Sequence, residues 1–307
     1  MKAVRIHRFG GPEVVTIDDV PMPTPGEHEV LVRVAAAGVA PWDALIREGL
    51  SKVSPQPPFT LGSDLSGVVE AFGKGVIGFV AGDEIYGVTN PQFCGAQAEY
   101  AVAAAGMIAP KPPSLDFVEA ASVPVIAVTA WQMLFEYAQA KRGETVMIVG
   151  AAGNVGAYAV QMAIDAGTRV VAVARAKDEP LLHSLGAQSI VDSSTPQWEK
   201  QLPQVDAILD CVGGNILELC LPALKQGGKL VTVVSAQPLP RRGDVQPIFF
   251  YAEVTEERLR TLAMLFEERR IAPRVGSVLP LDDSRTAHLM LAGAPHKPGK
   301  IVLEIKH

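Results

Sequence analysis

Gly150, Gly153 and Gly156 are evenly spaced in the run Val149-Gly150-Ala151-Ala152-Gly153-Asn154-Val155-Gly156, a pattern suited to holding phosphate with backbone amides. Thr145 to Val149, just before it, is apolar on both faces, as a covered parallel strand must be. Beyond it Val155, Ala159, Met162, Ala163 and Ala166 recur at helical spacing until Gly167 offers a stop. A strand, a glycine turn and a helix start in that order hold the pyrophosphate of a dinucleotide. Gly153 would let the backbone approach the phosphates, Gly156 would let helix and strand pack closely, and helix-start amides would meet the negative charge. The competing reading is an ordinary tight strand-to-helix turn.

The second strand of such a unit ends beside the adenosine ribose. There, about 20 positions past the glycines, a carboxylate would accept from the 2′-hydroxyl of NAD. Here Val170 to Ala174 leads into Arg175, with Lys177 close behind. Two cations at that place suit a 2′-phosphate and so NADPH. The alternative makes Arg175 and Lys177 a solvated loop paired with Asp178 and Glu179.

These residues need a large frame. At 307 residues the chain exceeds one ordinary core, so two domains are expected. Up to about residue 120, short alternating runs between Gly and Pro read as β structure. From about Glu119 a helical stretch through Trp131, Leu134 and Tyr137 precedes alternating strands and helices, the order of a doubly wound parallel sheet. Expected strands are Ile190-Val191, Val205 to Leu209 and Leu230 to Val234. Gly227-Gly228 should end a helix begun near Asn215, and Thr255 should start one finishing at Arg269-Arg270. A strand after Pro273, a short helix near Asp283 to Leu291 and a strand Ile301 to Ile305 close the chain.

Composition excludes several classes. A formal net charge of -6 gives no reason to expect nucleic acid or an anionic membrane surface as a partner. No apolar run is long enough to span a bilayer. Cys94, Cys211 and Cys220 form no disulfide framework, and the chain opens directly on a strand-like Met1 to Ile6, so a cytoplasmic location is expected. Cys211 and Cys220 read as small buried hydrophobes. The histidines at 7, 28, 183, 288, 296 and 307 fall at no ligand spacing and read as surface residues.

The form A-A-G-x-V-G of the glycine turn resembles that of medium-chain dehydrogenases of the quinone-oxidoreductase type. Further segments carry the resemblance in order along the chain: Gly10-Gly11-Pro12-Glu13-Val14, Gly38-Val39-Ala40-Pro41-Trp42-Asp43, Gly62-Ser63-Asp64-Leu65-Ser66-Gly67, Gly82-Asp83-Glu84-Ile85-Tyr86-Gly87 and Gly299-Lys300-Ile301-Val302-Leu303. It implies a mainly β, GroES-like catalytic domain of residues 1–120 and 272–307. A doubly wound α/β (Rossmann) domain of residues 121–271 would be inserted within it. It also implies a homodimer.

The resemblance implies no catalytic zinc, because the positions where related alcohol dehydrogenases carry Cys and His ligands hold Ala40 and Ser63. Alcohol oxidation would then lack its Lewis acid, whereas a quinone or an α,β-unsaturated carbonyl can take hydride directly. The pocket implied is Ala40, Trp42 and Leu45, more apolar than in relatives that carry Asn and Tyr there, with Trp42 open to a second reading as core. Thr129, in Val128-Thr129-Ala130-Trp131, approaches the nicotinamide by the same resemblance. Val212, Val234 and Ser235 end the fourth and fifth strands at the cofactor crevice. Phe249 and Phe250 resemble the segment near the carboxamide, with packing as the competing reading. No side chain is assigned as catalyst. The expected activity is NADPH-dependent reduction of a quinone or enone. A cofactor-binding protein with little turnover, in the manner of zeta-crystallin, and a zinc-independent alcohol or aldehyde oxidoreductase remain as alternatives.

Overall fold

In the computed structural model, which describes residues 1–234 and 242–307, Thr145–Val149 is a strand buried along its whole length. It is the first strand of a unit spanning Ile126–Glu253. Arg169–Ala174 and then Ser189–Asp192 lie on one side of it, and Val205–Asp210, Leu224–Thr232 and Ile248–Phe249 on the other. All neighbours are parallel. Numbered by sequence, the order is 3-2-1-4-5-6, that of a Rossmann doubly wound sheet. The Asn154–Asp165 helix buries Ala159, Met162 and Ala163 and stops before Gly167, whose φ of 77° is one that glycine adopts without strain.

Two element expectations need correction. The helix after Gly213 covers only Gly214–Cys220, followed by a tight turn, Leu221–Ala223. Gly227 and Gly228 lie instead inside the strand Leu224–Thr232. There Val205 pairs with Leu224 and Ala207 with Lys229, so Asp206 alone faces residues 225–228. A glycine at φ 74° absorbs this bulge as readily as it ends a helix. The Glu256–Glu267 helix has Thr255 as its cap and Glu256 and Glu257 in its first turn, but Arg269 and Arg270 lie beyond its end.

The other unit comprises Met1–Val125 and Val254–His307, so both chain ends belong to it. The segment 254–271, expected with the dinucleotide unit, falls here. Its helix packs beside Ile108–Pro110, and the Tyr86 hydroxyl donates to the Leu259 carbonyl at 2.6 Å. A seven-stranded sheet runs in the order Val275–Pro280, Lys300–Glu304, Glu29–Val39, Asp64–Phe72, Glu84–Val88 and Ile108–Pro110, with Tyr100–Ala104 also on Glu29–Val39. Thr16–Asp19, Lys2–Ile6 and Phe59–Thr60 form a second sheet. Alternation along these strands buries Val30, Val32 and Val34 with Leu65, Ile85, Ile108, Ile301 and Leu303.

Candidate functional site: a dinucleotide cradle and a buried polar cluster

At the carboxyl end of Thr145–Val149 the chain turns through Gly150 at φ 78°. The amides of Gly150 and Ala151 both donate to the Val173 carbonyl, at 3.0 and 3.2 Å, which ties the turn to the second strand. The first bond within the next helix is Ala157 to Gly153, so Asn154, Val155 and Gly156 point amides at no helical acceptor, and no side chain caps this end. Those amides, with the helix dipole, suit a pyrophosphate. A Cβ on Gly156 would come within 2.2 Å of the Gly150 carbonyl oxygen, so only glycine allows this approach of helix to turn. Gly153 is exposed, with its nearest neighbour 3.2 Å from a built Cβ. The cradle therefore fits a dinucleotide.

Arg175 follows the second strand directly. Its side chain is 66% exposed, and its Nε lies 3.7 Å from Asp178 Oδ2. Lys177 is exposed on the short turn Ala176–Asp178. Asp192, which the sequence reading passed over, shapes this loop by accepting from the Ala176 amide at 2.9 Å and from Ser194. Those hydrogen bonds hold its carboxyl below the usual carboxylate range.

The fourth and fifth strands are joined at the same edge by Asp210. Its buried carboxylate accepts from the amides of Val212 and Gly213 at 3.0 and 2.8 Å and from the Thr232 hydroxyl at 2.6 Å. Thr232 Oγ1 in turn accepts from the Val234 amide at 3.1 Å. Val212 stands outward, and a Cβ on Gly150 would strike it at 2.6 Å. Thr129 is buried on the helix Pro124–Trp131. Phe249 lies in the edge strand, while Phe250 is buried with its ring 4.4 Å from that of Tyr137. Ser235 lies outside the described residues.

The other unit holds a polar cluster in its core. Ala40 precedes the helix Pro41–Arg47, which Pro41 starts in its preferred place. Asp43 Oδ2 accepts from the Ala40 amide at 2.8 Å, and Asp43 Oδ1 has no partner although the residue is 1% exposed. Half-buried Trp42 donates through Nε1 to Ser63 Oγ at 2.9 Å. Lys300 Nζ lies 4.2 Å from the Trp42 ring centroid and 2.5 Å from Asp64 Oδ2. Leu45, on the same helix, points outward. Arg47 is buried too, donating to the Gly10 carbonyl and to His288 Nδ1 and pairing with Glu48. Among the described residues no group of three or more His, Cys, Asp or Glu side chains is placed to hold a metal.

The sequence matches a family model described as zinc-binding dehydrogenase over residues 185–303 and one described as alcohol dehydrogenase GroES-like domain over residues 26–113. It is 32% identical to a quinone oxidoreductase of Lama guanicoe, over 100% of this chain and 98% of the relative. The chain belongs to the quinone-oxidoreductase family. The structure of the quinone oxidoreductase from Coxiella burnetii matches with a TM-score of 0.92 at 30% identity, covering 100% of this chain and 99% of that one. A chloroplastic NADPH-dependent alkenal/one oxidoreductase of Arabidopsis thaliana is 29% identical, over 99% of this chain and 79% of the relative. The motif resemblance and the expected pairing of a GroES-like with a Rossmann-type domain both hold, and the family is one of pyridine-nucleotide-dependent oxidoreductases. No helix among the described residues is long and apolar enough to cross a membrane.

Within this family member one histidine is not where the sequence reading put it. His288 is fully buried, on the inward face of Ser284–Leu291 with Ser284 and Ala287. A helix that must bury that face takes the histidine with it, and Arg47 satisfies Nδ1. Of the cysteine pair, Cys220 is fully buried and Cys211 partly so, and burial pushes both thiols up, Cys220 to about 12.

Two buried groups give opposite pH dependence. Burial raises the Asp43 carboxyl to about 7, against the pull of the Lys300 ammonium. Burial lowers His288 to about 3, with the Arg47 charge adding to it. The unfolded chain ionises an Asp near pH ~4, so from there to about 7 the native state holds the extra proton and stability falls as pH rises. For His288 the unfolded chain holds the extra proton between about 3 and 6.5, so stability falls as pH falls. In wild type the two slopes oppose each other. His288→Asn should leave the Asp43 slope, with a thermal midpoint that declines as the pH is raised from about 4 to 7. Asp43→Asn should show the reverse trend below about 6.5. Thermal melts of both variants across that range check the assignment, and parallel profiles for the two would refute it.

Proposed function

We propose that this family member is an NADPH-dependent reductase of quinones or α,β-unsaturated carbonyls that works without zinc. The observation that carries the reading is an intact dinucleotide cradle in a chain whose Ala40 and Ser63 stand where a metal would need ligands. The relatives named quinone oxidoreductase and alkenal/one oxidoreductase support it.

Gly150 to Gly156 would hold the pyrophosphate, with the amides of residues 154–156 as donors, and Arg175 with Lys177 would hold the 2′-phosphate. Thr129, Val212, Val234, Phe249 and Phe250 belong to the nicotinamide end in this reading. When bound, the nicotinamide supplies a hydride. Ala40, Trp42 and Leu45 would receive the acceptor with little polar contact, which favours acceptors with apolar tails. Electron-poor acceptors need only hydrogen-bond donors and exclusion of water for the oxygen that gains charge. The three unpaired cysteines support a reducing, cytoplasmic setting. The short edge strand Ile248–Phe249 is where a second copy would meet the sheet in a homodimer.

NADPH oxidation measured against a panel of quinones, enals and enones should show turnover that a strong chelator leaves intact, with metal analysis finding far less than one zinc per chain. One tightly held zinc per chain, with alcohol oxidation lost on chelation, would overturn the proposal. Tight NADPH binding with no turnover on any member would assign the chain to binding instead.

A further inference from the structure

Lys300 and Asp64 are each 1% exposed at the side chain, and their ion pair lies buried in the unit built from both chain ends. Apolar residues of similar volume would often serve stability as well or better, because desolvation offsets much of the attraction within a buried pair. The chain nevertheless clears a path for this lysine. A Cβ on Gly38 would lie 2.8 Å from Lys300 Cε and 2.9 Å from both Asp64 Cβ and the Ala121 carbonyl, so the strand must carry glycine there. What lies at the end of that path is Trp42, whose ring carries the Lys300 ammonium at 4.2 Å.

The indole is fixed at two further points. Its Nε1 can only donate, so Ser63 Oγ accepts that bond, and the hydroxyl's own proton remains to be given to another acceptor. Its backbone belongs to Pro41–Arg47, whose first turn Asp43 secures by accepting from Ala40. Asp64 Oδ1 meanwhile accepts from the Val125 amide at 3.0 Å, so the carboxylate that grips Lys300 is itself anchored. A desolvated cation over an aromatic face is stronger than an exposed one, and here water is excluded from the ammonium.

We propose that Lys300 is a positioning residue of the acceptor site: gripped by Asp64, it pins the Trp42 indole and thereby sets the direction of the Ser63 hydroxyl. This rests on the reading that Trp42 borders the acceptor. It assigns a role in substrate orientation to a pair that otherwise would only tie the last strand to the sheet.

Lys300→Met alone leaves a buried carboxylate without its cation and can simply unfold the unit. The decisive variant is Lys300→Met with Asp64→Asn, which removes both charges and keeps an acceptor for the Val125 amide. Circular dichroism and thermal melts should show a folded protein, and the dissociation constant for NADPH should stay within about twofold. The kcat/KM for a 1,4-quinone and for an aliphatic enal should fall at least about tenfold. A second measurement reads the indole directly. With Trp131→Phe and Trp198→Phe leaving Trp42 as the single indole, acrylamide quenching should rise severalfold when the pair is neutralised. A folded double variant with unchanged kcat/KM or unchanged quenching overturns the proposal. An inactive wild type would refute the reductase reading instead, and the quenching comparison would still decide whether Lys300 pins the indole.

Discussion

Alanine at position 156 should disrupt the dinucleotide unit, lowering its unfolding midpoint by several degrees and abolishing NADPH binding. The added methyl would lie 2.2 Å from the Gly150 carbonyl oxygen and 2.9 Å from Ala151 Cα, and these are backbone atoms of a turn already tied to Val173. Overpacking of this kind costs about 1–3 kcal/mol or more, and a rigid backbone neighbour puts it at the upper end. Relief requires the helix to move off the turn, which swings the amides of residues 154–156 away from their common target. Gly153→Ala is the control. Position 153 is exposed with φ -70°, and an added methyl would lie 3.2 Å from the same Gly150 carbonyl oxygen, a tight contact but one that asks for a shift of only a few tenths of an ångström. The methyl would stand where phosphate must approach, so affinity should drop while the melting midpoint falls much less than in Gly156→Ala. Melting curves and NADPH titrations of both variants test the division of labour. A Gly156→Ala protein with wild-type affinity would show that the helix does not need its close approach.

The cradle was legible because every part of it is local. A strand covered on both faces, a turn needing positive φ and a helix with a buried stripe each leave a signal within a few residues of one another. The buried cluster of the unit built from both chain ends had no such signal. Lys300 and Asp64 are 236 positions apart, and Arg47 and His288 are 241 apart. Each alone looks like a polar residue that should face water. Only the antiparallel pairing of Lys300–Glu304 with Glu29–Val39 brings the lysine to its partner. A hint existed in Gly38, since a glycine inside an apolar strand marks a close approach. Gly227-Gly228 shows the opposite difficulty, where the signal is real but serves two structures: a helix stop and a strand bulge ask the same freedom of the backbone. The helix from Thr255 was readable from its cap, but the unit it joins depends on where its apolar face packs. Leu259, Leu262, Leu265 and Phe266 do not encode that choice.

Arg175 should decide between NADPH and NADH. Its guanidinium pairs with Asp178 at 3.7 Å while 66% exposed, and an ion pair of that kind is worth about 0–1 kcal/mol. A 2′-phosphate offers charge-assisted hydrogen bonds worth about 1.5–3 kcal/mol each, so the phosphate should win the side chain from Asp178. Removing it in Arg175→Ala should weaken NADPH binding at least about tenfold. NADH has no phosphate at that position, and its affinity should barely change. Arg175→Asp should go further, because a carboxylate repels the phosphate and can accept from the ribose hydroxyl of NADH. Lys177→Ala, on the neighbouring turn, should have the smaller effect, since an ammonium makes a point contact rather than a paired one. Dissociation constants for both cofactors across wild type and the three variants measure the choice. An unchanged NADPH-to-NADH ratio in Arg175→Ala would leave this arginine as nothing more than the surface partner of Asp178, and selectivity would have to come from Lys177 or from residues beyond this loop.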